Sequence, residues 1–414
     1  MSINLINTLA QPLKSAAQFV AHNEQASGLS TSRFIQDTGT CLVPKAVFSR
    51  SKEDLVENSF LELSESGLVY FAPAAVGSIS RKIYSKNLAK EAKELVAVSG
   101  AELLKNRNAA NKTVLPVKAA IALSALLIPL TEFTLNYFKN LMTLKVFKKG
   151  DFNNIANLEN TKEDEKIQKR VEKSAYKNIY RAAGIFASSV ALGTLIAKKG
   201  ANSKTLQHIS EAILAPGTKF FKKNQKAQNF FNKYFSLDFA SQNGKLVLSK
   251  GQLTSAVLIG GAGYFGASKD RGKQNFLETL FRFPLVGFYI ITGSDLFEKG
   301  FKKLLQKTGK CKETIDKNLK TPSFEKITEM AKELSAKNGT KVEAEFKKLA
   351  KQKVLISGVP FLFSIGFMGF FVAGISNVFT RYRYNRDKKL TAQSKQFVQQ
   401  QTQAQAKAFK TFFS

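Results

Sequence analysis

The sequence predicts an all-α, multi-pass membrane helix bundle of about five spans, with Lys-rich amphipathic polar helices between the spans. Three observations predict it. Residues 354–380 (VLISGVPFLFSIGFMGFFVAGISNVFT) carry no charge over 27 positions, about 40 Å of helix, where ~20 residues suffice to cross ~30 Å of hydrocarbon. Four further runs, 119–138, 182–197, 251–268 and 276–297, are apolar with few charges. Lys+Arg number 63 against 31 Asp+Glu, a net charge of +32, which favours anionic partners.

Taken in order, residues 1–113 read as an N-terminal polar helical region. The first residues have no basic start and no long apolar block, so no cleavable signal peptide is expected. Ile6, Leu9, Leu13 and Val20 recur at helical spacing around Pro12, the pattern of a packed or interfacial helix. The run 66–80 is short and holds Pro73, which suits a buried or re-entrant segment better than a span. Leu88, Ala92, Leu95 and Leu103 mark a polar helix from about 83 to 105.

Residues 114–297 read as membrane helices joined by basic helical loops. Small residues four apart let helices approach closely. Gly184, Gly193, Gly263, Gly266 and Gly369 sit in such pairs and are expected to be packing positions. The charges inside the runs are the candidate membrane-buried groups: Glu132, Glu278, Arg282 and Asp295. Glu278 and Arg282 are four apart with the acid first, the favourable helix pair. Intramembrane charges otherwise mark ion or solute paths. The only modest strand pattern is KLVLS, near Lys245.

Residues 298–353 form an amphipathic Lys-rich region. Phe324, Ile327, Met330 and Leu334 form one stripe, and Val342, Phe346 and Leu349 another, with Pro322 and Asn338-Gly339 as start and stop signals. The second stripe runs into the strongest span, 354–380. That span ends in Arg381, Tyr382, Arg383, Tyr384 and Arg386, the aromatic and basic residues a head-group zone favours. The tail to 414 is basic, then Gln-rich, with seven Gln after position 390; it reads as exposed helix or disorder.

Gly261, Gly263 and Gly266 in GGAGYFG match G-x-G-x-x-G. The stretch resembles the first turn of dinucleotide-binding folds, where glycines let the backbone approach a pyrophosphate. That resemblance implies a nicotinamide or flavin enzyme. The context departs from it: SKDRGKQ follows, the acid Asp295 comes 34 residues after Gly261, and no series of βα units follows.

Two cysteines, Cys41 and Cys311, and two histidines, His22 and His208, leave no material for a disulfide framework, a zinc site or a His-based triad. Walker A, HExxH and GxSxG are absent, so no enzyme activity, cofactor or metal is expected. Every polar segment is net basic: +3 (1–113), +5 (139–181), +8 (198–250), +2 (269–275), +8 (298–353) and +7 (381–414). Basic asymmetry therefore assigns no orientation. Lys outnumbers Arg 52 to 11, which suits diffuse attraction to anionic lipid better than base readout. The leading expectation is a non-catalytic integral membrane scaffold or anchor on anionic membrane, with a protein partner or second copy as further contacts. Transport or conduction through the buried charges is the first alternative. The dinucleotide enzyme and a soluble basic nucleic-acid binder follow.

Overall fold

The computed structural model describes residues 42–105, 108–242, 245–322 and 324–412. The pattern at Ile6, Leu9, Leu13 and Val20, with His22 and Cys41, lies outside them. Among the described residues the chain is helical except for one antiparallel hairpin, β1 (Ala240–Gln242) on β2 (Lys245–Val247), with Ala240 opposite Val247. It falls on the KLV of the expected strand pattern.

Six long helical segments form the body: α1 (Lys52–Tyr84), α2 (Ala109–Phe147), α3 (Glu165–Asn202), α4 (Lys250–Asp270), α5 (Lys273–Lys307) and α6 (Val342–Gln405). Ser51 caps α1 by accepting from the Asp54 N–H, and Ser249 closes a capping box with Gln252 on α4. Inside α2 a turn at 125–126 separates two helices. Pro129 has no N–H to offer four residues back, and the Ile128 N–H instead donates to the Ala125 carbonyl at 3.0 Å.

Side-chain contacts fix how the segments run. Thr143 of α2 meets Glu57 of α1, and Tyr84 approaches Thr194 of α3. Gly193 of α3 faces Ala120 of α2. Gly263 and Gly266 of α4 face Phe133 and Tyr137 of α2, and Asn140 donates to the Ala267 carbonyl at 2.9 Å. Phe283 of α5 lies on Gly261, and Lys250 pairs with Asp295 at 2.9 Å. Phe297 of α5 stacks on Phe363 of α6 at 3.8 Å, while Lys273 pairs with Asp387 at 2.9 Å. Successive segments therefore run in opposite directions between two ends of the body. Residues 42–51, 148–164, 271–272 and 381–412 lie at the first end. Residues 85–105, 203–242, 245–249, 308–322 and 324–341 lie at the second.

The same contacts bring residues 117–131, 182–196, 283–297 and 363–377 to one height. Fifteen helical residues rise about 22 Å. Within this layer the apolar stretch of α2 is 83% buried, whereas those of α3, α5 and α6 are buried over only 17%, 22% and 17%. Ile185, Leu192 and Leu195 of α3, Phe288 and Leu296 of α5, and Leu362, Phe370, Phe371 and Val378 of α6 all face outward.

Among the described residues four segments, α2, α3, α5 and α6, are long and apolar enough to cross a membrane, rather than about five. The run 251–268 forms α4, which is not among them. Its glycines lower its apolarity and admit neighbouring backbone, so it is held between α2 and α5. The run 66–80 is not a separate re-entrant piece; it continues α1, with Pro73 inside the helix. Likewise the helix expected over 83–105 is broken into Lys90–Leu95 and Gly100–Leu103, with Ser99 capping the second.

At the second end, Val96, Leu103, Val114, Leu214 and Phe239 bury a core on which Leu88 and Leu95 pack. Ile327 and Ala331 pack on Phe346, Leu349 and Ala350, joining the two expected stripes. Gly339 takes φ +64° after the helix Phe324–Asn338, the left-handed stop that Asn-Gly predicts. Lys118 donates to Asp238 at 2.7 Å and to the Val96 carbonyl at 2.9 Å. Burial pushes the Asp238 carboxyl up against the pull of Lys118.

Candidate functional site

The body is apolar outside and charged inside. Asp54, Glu57, Leu61 and Glu65 fall at helical spacing on α1, so one face of this helix brings three acids inward. Toward the first end Arg50 grips Glu278 with two bonds, 2.7 and 3.2 Å, and Asp54 with a third at 3.1 Å, its guanidinium lying 5.0 Å from the Phe152 ring. Burial opposes the charge of Arg50; Glu278 and Asp54 overcome that and hold its pKa above the ordinary value. Beside this group Arg271, fully buried, makes a bidentate pair with Glu57 at 2.8 and 2.7 Å. Thr143 also donates to Glu57, Lys139 stands 3.8 Å away, and Lys45 pairs with Glu62.

Below this layer of ion pairs lies a cavity of about 170 Å³, lined by Lys45, Glu65, Glu132, Asn136, Tyr264 and Arg282 together with Leu61, Val257, Val286, Ile290 and Met368. A smaller cavity of about 40 Å³ adjoins it on the side of the ion pairs; Lys45, Asn58, Leu61, Tyr264 and Arg282 line both. Glu65, Glu132 and Arg282 form no ion pair or hydrogen bond among the described residues. Asn136 is 3% exposed, and its Oδ1 has no hydrogen-bond partner. Gly260 makes room for this chemistry, because any side chain there would meet Glu132.

Two irregular turns adjoin the cavity. α5 passes through a π-turn at Tyr289–Gly293 and α6 through another at Ile365–Phe371. Each begins five residues after an in-helix proline, Pro284 or Pro360. The bonds step back five residues: Ser294 N–H to the Tyr289 carbonyl, and Val372 N–H to the Phe367 carbonyl. Tyr289 and Ser364 join the two helices through a 2.5 Å hydroxyl bond. Ile290 of one turn and Met368 and Gly369 of the other line the cavity. Turns of this kind concentrate at functional sites.

The sequence candidates separate accordingly. Glu132 and Arg282 meet on the cavity. Glu278 pairs with Arg50, 228 positions away, and not with its helix neighbour Arg282. Asp295 lies apart, half-exposed, on Lys250. Gly193, Gly263 and Gly266 sit against neighbouring helices and Gly369 in a π-turn, but Gly184 has nothing within 4 Å where a Cβ would stand. Of the stop residues, Arg381, Tyr382 and Arg386 are exposed. Arg383 is buried, lies 4.7 Å from the Phe379 ring and donates to Thr380 at 3.2 Å. Tyr384 is half-buried, and α6 runs on through all five.

Sequence reasoning missed Lys45, Arg50, Glu57, Glu65, Asn136, Tyr264 and Arg271. The acid stripe of α1 was the available signal. Gly261, Gly263 and Gly266 lie in mid-helix, so the strand–turn–helix that would cradle a pyrophosphate is not formed there. Among the described residues no group of three His, Cys, Asp or Glu is placed to hold a metal ion. Comparison with known proteins finds no matching family model, no matching curated protein and no matching solved structure.

Proposed function

We propose that this chain is an integral membrane helix bundle that carries a small, positively charged solute through its central cavity. The observation that carries the reading is the set of charges left without ion pairs, Glu65, Glu132 and Arg282, around a cavity that enters the apolar layer from its first-end edge. A charge costs about 2.5–3.5 kcal/mol at mid-membrane and less toward the boundary, and charged groups within spans are retained where they serve a path. The outward apolar side chains of α3, α5 and α6 support the membrane setting, since a surface in water does not expose a continuous apolar band of that size.

Glu65 and Glu132 face Arg282 and Lys45 across the cavity, and Lys45 also pairs with Glu62, so three carboxyls share two cations. The Asn136 carbonyl oxygen adds an unused acceptor. A cation satisfies both. A cavity near 150 Å³ admits a molecule of about benzene size, which suits a small ammonium whose apolar body rests on Val257, Val286 and Met368. Carriers often place irregular helix turns at their binding sites, and the two π-turns stand at this cavity. The scaffold reading accounts for the apolar layer and the basic ends but gives the cavity charges no role. Carriage needs no catalytic group.

The test is uptake of labelled methylammonium into proteoliposomes. Wild-type protein loads the vesicles above protein-free controls. Glu132→Gln and Glu65→Gln lose the uptake while circular dichroism shows the wild-type helix content. Uptake unchanged in both variants, or absent in the wild type across a panel of small ammonium ions, contradicts the proposal.

A further inference from the structure

The segment Pro216–Phe220, together with the helix Gln225–Phe235, forms a helical hairpin at the second end of the body. No residue of the second helix is buried. Its rings pack on one another rather than into the core. Phe221 stacks on Phe231 at 4.3 Å, Phe230 lies 5.2 Å from Tyr234, and Phe231 lies 5.2 Å from Phe235. Phe220, Phe230 and Phe235 remain 66%, 51% and 45% exposed. Between Glu211 and Asp238 the sequence holds no acid, while Lys219, Lys222, Lys223, Lys226 and Lys233 fall within the hairpin. All of these but Lys219, which pairs with Glu211, are exposed and have no ion pair among the described residues.

The position of the hairpin says what covers it. Ser236, just past the helix, abuts Gly251 at the foot of α4, against which the helix itself packs, and the adjoining Lys250 pairs with Asp295 in the apolar stretch of α5. The aromatic cluster therefore continues the outward apolar layer at its edge, and the lysines stand around it. Aromatic rings favour the boundary between head groups and hydrocarbon, and neighbouring lysines are attracted to anionic lipid.

We propose that the hairpin 216–235 is a lipid-docking element that seats Phe220, Phe230 and Phe235 in the membrane boundary and selects anionic head groups through Lys222, Lys223, Lys226 and Lys233. The chain has no Trp, so Phe230→Trp introduces a single fluorescent reporter on an exposed position. Phe220→Trp is a second, independent one. Each variant is reconstituted into phosphatidylcholine vesicles with and without phosphatidylglycerol, carrying chain-brominated lipid. The indole is expected to emit to the blue and lose most of its emission to the brominated chains, with deeper loss when anionic lipid is present. Replacing the four lysines with Gln in the same background removes the dependence on anionic lipid. Emission that stays red and unquenched in both reporters overturns the proposal. So does emission that shifts only on adding single-stranded RNA, which would assign the surface to nucleic acid. None of these outcomes depends on whether the cavity carries a solute.

Discussion

Gly263→Ala probes a close approach between helices, that of α4 on α2. An added Cβ would stand 2.8 Å from the Cα and 2.9 Å from the carbonyl carbon of Phe133, and nearer still to its oxygen. Ordinary contact begins at 3.4 Å, so the helices must part by at least about 0.6 Å, and the obstacle is backbone that cannot swing away. Forcing a methyl into a packed contact costs about 1–3 kcal/mol. Helix propensity works the other way, returning up to about 1 kcal/mol for Gly→Ala. With the full return the net expectation is a loss of up to about 2 kcal/mol, and relative to a glycine-to-alanine change in open space a loss of about 1–3 kcal/mol. Gly184→Ala is the matched control: with open space around its Cβ it is neutral or slightly stabilising. The assay is reversible denaturation of the purified protein in detergent, followed by far-UV circular dichroism. A Gly263→Ala variant as stable as Gly184→Ala would refute the close-packing argument.

Other expectations follow from the charged interior. Arg271→Ala strands Glu57 in a buried site beside Lys139 alone, and breaking such a pair costs about 3–5 kcal/mol; a denaturation midpoint equal to wild type contradicts it. Asn377 donates to the Phe48 carbonyl at 2.6 Å and so ties residues 42–50 to α6. Asn377→Leu is expected to raise amide exchange over 45–50 without changing it in α2, as read by hydrogen–deuterium exchange. At the second end, the hydrogen bond from Lys348 holds the Glu313 carboxyl below its usual range, with Gln352 assisting against partial burial. A carboxyl with a lowered folded pKa adds stability above its unfolded pKa and loses it as pH falls through the folded one. Protection of 311–320 is therefore expected to weaken on acidification below the ordinary Glu range, and Glu313→Gln to remove that part of the pH dependence; an identical pH profile in the variant contradicts the pairing.

The apolar helices were legible because length and freedom from charge suffice to mark them. The stripes at Ile327–Leu334 and Val342–Leu349 were legible for the related reason that helical periodicity reports a buried face. The role of α1 was hidden. Its acids make it read as polar, and only the fold shows that they face cations from elsewhere in the chain: Lys45, Arg50, Lys139 and Arg271. Sequence spacing also favoured a Glu278–Arg282 pair that the fold does not make, because Arg50 offers Glu278 a two-bond grip that a single helix face cannot. The cavity belongs to this class. Glu65, Glu132, Asn136 and Arg282 come from three helices, and the space between them depends on Gly260 and on two π-turns that no local pattern announces.

The alternation of the six segments across one apolar layer makes a direct demand. Lys388 lies at the first end and Lys310 at the second. Lys388 and Lys310 are both exposed, whereas Cys311 is buried. Single cysteines introduced by Lys388→Cys or Lys310→Cys, in a background with Cys41→Ser and Cys311→Ala, are exposed to a membrane-impermeant maleimide in sealed vesicles of uniform orientation. The account predicts that one position labels at once and the other only after the vesicles are opened. Labelling of both positions in sealed vesicles, or protection of both until opening, would contradict it.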